Sequence, residues 1–313
     1  MVKYYKSVNG LITPANENDE NIWINMVDPT NDEIKIISDR LHIDPVDMKA
    51  SLDDEEASRI EYNDEYTLVI VDEPVREVRH DNDAYTTMPL AIIITDNATI
   101  TVTLEESLVL KPFIERRIKD VNTNKKMRFL NQILYSNATV YQNCLRIIDK
   151  KREVIEGRLG AKTMDSDLVE LHELETNLVY FATSLRFNGV VLDKMTRYAK
   201  FNQYPEDREL LDDVVIESKQ AIEMTNIYRD IINGTRELFA SVIDNQLNSI
   251  MKFLTSITLV MSIPTMISGL YGMNVDTGGM PFAGSIYGFG VICIFSLLLC
   301  VVITYVLKKR NML

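Results

Sequence analysis

Tyr271-Gly272-Met273-Asn274 stands between two long apolar spans near the C-terminal end of this chain, and the reading of that junction decides the fold. Residues 253–271 form the first span and 286–307 the second. Each has about 18 to 22 residues, enough to cross a bilayer core of about 30 Å. Around and within the first span, Asn248, Met251, Thr255, Thr258, Ser262, Thr265, Gly269 and Gly272 follow one another at spacings of three and four. That spacing is one face of a helix, and most of this face is polar or small. Hydroxyls aimed at lipid lack good partners, so such a face should meet other helices or water. Two readings stay open at this level. Small residues and back-bonded hydroxyls also serve ordinary helix packing; a polar stripe ending in a Gly-Met-Asn turn also suits the wall of a pore.

Upstream, the stripe continues. Stepping back from Asn248 by four and three gives Asp244, Ser241, Glu237, Gly234 and Asp230, all polar or glycine. This is either a solvated helix face or, around a central axis, a set of acidic rings at a cytoplasmic pore mouth. Pro205-Glu206 suits a helix start with acids in its first turn. No proline follows until Pro264, so one helix could run from Pro205 to Leu270, on the order of 100 Å. Met127 to Glu156 and Leu168 to Tyr198 read as two more long helices, separated by Gly157 and Gly160. The first hundred residues read differently. Asn21–Met26, Tyr66–Val71, Leu90–Ile94 and Thr99–Val102 are strand-like, with a turn expected at Asp96-Asn97. Pro29–Leu41 reads as a helix capped by Thr30, Asn31 or Asp32.

The expected fold class is thus an α+β domain, a small mixed sheet with helices, then long stalk helices and two transmembrane helices. The expected domains are 1–126, mixed α/β; 127–252, helical stalk; 253–271, first transmembrane helix; 272–285, external loop; 286–307, second transmembrane helix; and 308–313, basic tail. Lys252 precedes the first span, Lys308, Lys309 and Arg310 follow the second, and the loop from Gly272 to Ser285 holds no Lys or Arg. The positive-inside rule then puts both termini in the cytoplasm. Met1-Val2-Lys3-Tyr4-Tyr5 runs into polar sequence, and no signal peptide is expected.

The net charge of -13 argues against nucleic-acid binding and for attraction of cations. Cys144, Cys293 and Cys300 show no paired spacing, which suggests apolar packing in a reducing compartment. His42, His80 and His172 are scattered. No nucleotide-binding loop of the Gly-x-x-x-x-Gly-Lys-Ser/Thr type occurs, so ATP is not expected, and no catalytic motif suggests an enzyme.

The Gly272-Met273-Asn274 motif at the end of the first of two C-terminal spans resembles the signature of the CorA family of divalent-cation channels. The similarity extends over Asn248-Ser249-Ile250-Met251-Lys252-Phe253-Leu254-Thr255, Pro264-Thr265 and Gly269-Leu270-Tyr271. Weaker likeness reaches Trp23-Ile24-Asn25 with Pro29, and Leu52-Asp53-Asp54-Glu55 with Arg59-Ile60-Glu61. The resemblance implies a homopentamer that moves Mg²⁺, or Co²⁺ or Ni²⁺, across the plasma membrane, with Gly272, Met273 and Asn274 as the outer filter. It implies a hydrophobic constriction at Met251 and Leu254. It also implies a regulatory divalent-ion site between subunits, with Asp213, or its neighbour Asp212, as the stalk ligand. Asp81 or Asp83 are partner candidates by position alone. Mg²⁺ dehydrates reluctantly, and an Asn carbonyl can accept hydrogen bonds from its bound waters; a thioether such as Met273 is a poor ligand for a hard ion. The loop departs from the common pattern: Met280-Pro281 is followed by Phe282-Ala283 rather than an acid, and Asp276 is its only charge. A zinc transporter of the same fold and a non-conducting membrane-anchored scaffold or sensor are the alternatives.

Overall fold

The computed structural model describes residues 1–79, 82–158, 165–198, 201, 204–275, 277–282, 284–310 and 312. His80, Asp81, Gly160, Asp276 and Ala283 lie outside the described residues. The chain divides into two compact units, Met1–Arg236 and Glu237–Leu313.

The first unit is built on a seven-stranded sheet. Its strands are β1 (Val2–Val8), β2 (Leu11–Pro14), β3 (Ile22–Val27), β4 (Arg59–Tyr62), β5 (Tyr66–Arg79), β6 (Asn82–Thr95) and β7 (Ala98–Thr103). They lie in the order β2-β1-β3-β7-β6-β5-β4, with β3 and β7 parallel and the other pairs antiparallel. Two-residue alternation sorts the side chains to opposite faces. Leu68 and Ile70 of β5 join Ile24, Met26, Ile93 and Ile100 on one face, under Ile34 and Ile37 of α1 (Asn31–Leu41) and Met48 of α2 (Pro45–Lys49). Val69 and Val71 join Trp23, Leu90 and Ile92 on the other. Because both faces are covered, the central strands read as continuous apolar runs.

The second face carries the long helices α4 (Lys126–Glu156) and α5 (Asp165–Arg197), with Phe113 of the short α3 (Lys111–Ile114). Phe129, Leu130, Ile133 and Leu134 of α4 recur at helical spacing and are buried together with Val191, Leu192 and Met195 of α5. Trp23 is fully buried among Tyr5, Phe113 and Phe129, with ring centroids 5.1, 6.3 and 5.4 Å away. Its indole N–H donates to Thr101 Oγ1 at 2.9 Å, which removes the cost of burying it.

Several expectations shift. The α1 cap is Thr30, in a reciprocal box with Glu33. β1, β2 and β4 carry no strand signal strong enough to be read: Lys3 and Lys6 interrupt β1, Arg59 and Glu61 interrupt β4, and β2 has four residues and ends in Pro14. β5 and β6 run 14 residues each, far beyond the apolar stretches that mark them. The hairpin continues through Pro74, opposite Thr87, and Pro89, opposite Asp72. Side chains of the helical layer hold it there: the Asp72 carbonyl accepts from Asn137 Nδ2 at 2.9 Å, Tyr141 Oη at 3.2 Å and Asn188 Nδ2 at 2.8 Å.

The last two helices are α6 (Pro205–Tyr271), which crosses the division between the units, and α7 (Gly288–Lys309). Both contain a window apolar and long enough to span a membrane, and only 6% of each window is buried within the chain. Such an exposed apolar surface is not that of a soluble core helix.

Candidate functional site

In the second unit α6 and α7 pack on each other through one face of α6. Ser256 Oγ donates to the Met312 carbonyl at 2.8 Å. The Val260 carbonyl receives the Cys300 thiol at 3.6 Å. Chemistry explains the second contact. Pro264 lies within α6 and has no N–H, so the carbonyl four residues earlier, that of Val260, loses its helical donor. The thiol of α7 supplies one. Cys300 is therefore more than the apolar filler its composition suggested. Val260, Pro264, Ile267 and Tyr271 face α7 across an apolar groove that also includes Phe289 and Cys293.

The polar stripe lies elsewhere. At about 100° per residue, Thr255, Thr258, Ser262, Thr265 and Gly269 point about 180° away from Ser256, Val260, Pro264, Ile267 and Tyr271. Packing within the chain therefore uses the opposite face and leaves the stripe exposed. Its hydroxyls bond back along the helix: Thr258 to the Leu254 carbonyl at 2.8 Å, Ser262 to Leu259 at 2.8 Å and Thr265 to Met261 at 3.0 Å. Each proton is spent, and each oxygen keeps lone pairs. The face thus offers acceptors. Water bound to a cation offers donors, so the two match.

The motif closes α6. The Gly272 N–H donates to the Ser268 carbonyl at 2.9 Å and that of Met273 to Leu270 at 3.5 Å. A Cβ on Gly272 would stand 3.2 Å from the Ser268 oxygen, tighter than an ordinary contact, so glycine suits this close turn. Tyr271 Oη donates to the Pro281 carbonyl at 2.8 Å and ties the loop back to the helix end. No sequence signal pointed to that bond. Met273 borders the apolar groove. Asn274 is exposed, and its amide makes no hydrogen bond with a described residue.

Met251 and Leu254 are both 63% exposed in the single chain. Asn248, Asp244, Glu237 and Asp230 are likewise exposed, on the same side of α6, whereas Ile232, Thr235 and Phe239 are buried. Asp212 and Asp213 are exposed, and their side chains form no hydrogen bond or ion pair with another described residue. Asp83 is exposed as well. Within one chain, no group of three or more His, Cys, Asp or Glu among the described residues could hold a metal ion.

The family model described as CorA-like Mg²⁺ transporter protein matches residues 18–309. The chain belongs to this family. Among curated CorA relatives, the cobalt/magnesium transport protein of Methanocaldococcus jannaschii is 27% identical over 93% of this chain and 90% of its own length. That of Thermotoga maritima is 23% identical over 96% and 86%. The solved structure of the complete CorA magnesium transporter from M. jannaschii superposes with a TM-score of 0.80 at 25% identity, covering 98% of this chain and 96% of that one. Full-length CmaX shares the fold, with a TM-score of 0.71 at 16% identity over 99% and 97%. The chain is thus a divalent-cation transport protein of the CorA type and not an enzyme, with a mixed-sheet domain and two C-terminal apolar helices.

Proposed function

We propose that this chain conducts hydrated Mg²⁺ passively into the cytoplasm through a pore on the axis of a homopentamer, with both termini cytoplasmic in the plasma membrane. The observation that carries this reading is the exposed Asn274 amide, bonded to no described residue, at the end of an acceptor-lined face that points away from α7. Five such faces around an axis would form a wall of oxygens facing the hydration shell, and five Asn274 carbonyls a ring at its outer end. The family supports the same placement, and the two relatives above are named for cobalt and magnesium. The membrane potential supplies about 4.6 kcal/mol per 100 mV for a divalent ion, so no ATP is needed. Internal divalent ions close the channel by binding between subunits at Asp213 or Asp212. An exposed carboxylate with no partner among the described residues suits a ligand completed by a neighbour.

The deciding experiment is flux of Mg²⁺, Co²⁺, Ni²⁺ and Zn²⁺ in proteoliposomes under an imposed potential. Potential-driven Mg²⁺ entry without a pH gradient is the expected result. Zn²⁺ flux that needs a proton gradient would favour a zinc transporter of the same fold. No flux of any ion from correctly inserted protein would favour a scaffold.

A further inference from the structure

Glu73 is the least expected residue of the core. It lies in the middle of β5, is 2% exposed, and pairs with no cation among the described residues. Its visible side-chain partner is Ser107, whose hydroxyl donates to Glu73 Oε2. The same Ser107 oxygen accepts the N–H groups of Val109 and Leu110, both at 3.1 Å, and so sets the turn that leads into α3. The Val109 carbonyl in turn accepts from Ser136 Oγ of α4 at 2.8 Å. One chain of hydrogen bonds therefore runs from the central sheet, through the 104–110 segment, to the helical layer. Val109, Leu110 and Phe113 are core residues, so the segment is docked by burial as well.

We propose that Glu73 and Ser107 form a proton-operated latch: protonated Glu73 holds the 104–114 segment against β5 and α4, and ionised Glu73 releases it. The geometry supplies both requirements, a buried site and a path for the proton. A cavity of about 170 Å³ reaches Ser107 from the surface between Met1, Lys3, Glu106, Lys111 and Glu115. Those charged groups are exposed, and their charges are screened by water. From α4 the facing titratable group is Tyr141, which burial raises well above its ordinary range and keeps neutral. Along β5 it is Asp72, itself raised by burial. None of these stabilises a negative Glu73. Burial accordingly pushes the Glu73 carboxyl up to about 8, against partial relief from Ser107 and the Val109 backbone. The folded latch binds the proton more tightly than the open chain does, where the carboxyl titrates near 4.5. The latch is therefore strongest at low pH, weakens as pH rises from that value, and is lost through about pH 8. This inference does not depend on which ion the protein moves.

The chain contains one tryptophan, Trp23, whose ring meets Phe113 of α3 edge-on at 6.3 Å. Its fluorescence reports whether the segment is docked. In the full-length protein, acrylamide quenching of Trp23 should stay low at neutral pH and rise severalfold in a transition centred near pH 8, with far-UV circular dichroism retained. Glu73→Gln, which keeps the shape and the Ser107 bond but cannot ionise, should abolish that transition. Ser107→Ala should raise quenching already at neutral pH. A flat wild-type profile, the same transition in Glu73→Gln, or unchanged quenching in Ser107→Ala at neutral pH would each overturn the latch.

Discussion

At the scale of the residue, the proposed pore depends on groups whose hydrogen-bonding capacity is left open by the fold. Asn274 is the leading case, because no described residue occupies its amide. Asn274→Ala should fold and assemble normally yet lose Mg²⁺ uptake in proteoliposomes. Loss of about 1.4 kcal/mol of transition-state stabilisation is a tenfold drop in rate, and a ring loses five acceptors at once. Wild-type flux would remove Asn274 from the filter. Cys300 illustrates the opposite situation, a group fully used. Cys300→Val leaves the Val260 carbonyl without a donor beside Pro264 and should cost about 1 kcal/mol in thermal unfolding of the lipid-embedded protein. Cys300→Ser keeps a donor and should cost less. Equal losses from both would show that the thiol only fills space.

At the scale of the element, α6 has two faces with separate work. One packs on α7, and the other carries the acceptor stripe. Single cysteines at Thr258, Ser262 and Thr265 should react with a small water-soluble thiol reagent, and those at Leu259 and Ile263 should react poorly. The background should carry Cys300→Ser rather than an apolar replacement, together with Cys144→Ala and Cys293→Ala, so that the bond to Val260 is kept. Equal labelling of both sets would favour plain helix packing. Leu254 sits at the N-terminal end of the apolar stretch of α6, where an apolar ring can close a pore by excluding water. Leu254→Asn should raise flux when internal Mg²⁺ is high. Reduced flux at normal expression would argue against a gate there.

At the scale of the whole molecule, the proposed regulation involves more than one chain. Asp213 joins no group of three or more His, Cys, Asp or Glu among the described residues of one chain, so the proposed ion site is one shared between subunits. Asp213→Ala should move Mg²⁺ inhibition to higher internal concentration and weaken Mg²⁺ protection of the cytoplasmic part against protease. An unchanged protection curve would exclude Asp213 from the sensor. The same assembly would bring the α6 stripes together, so native mass spectrometry of the wild type should show five chains; a monomer in lipid would leave the stripe facing hydrocarbon, which its composition does not suit.

The sequence by itself determined the parts whose signal is local. The two apolar spans, the long helices and the stripe of α6 follow from periodicity within single segments, and the helices begin and end within a few residues of where that periodicity places them. Gly272-Met273-Asn274 together with its neighbours was enough to suggest the family. What only the tertiary structure decided involves residues far apart in the chain. β5 and β6 extend through charges and prolines because Asn137, Tyr141 and Asn188 of two later helices bind the Asp72 carbonyl. The bond from Cys300 to Val260 repairs a break made by Pro264, and Glu73 is isolated from water by a segment 34 residues later in the chain. Which face of α6 meets α7 likewise came only from the fold. A hydrogen bond between distant segments leaves no period in either one, and so it becomes visible only when the chain has folded.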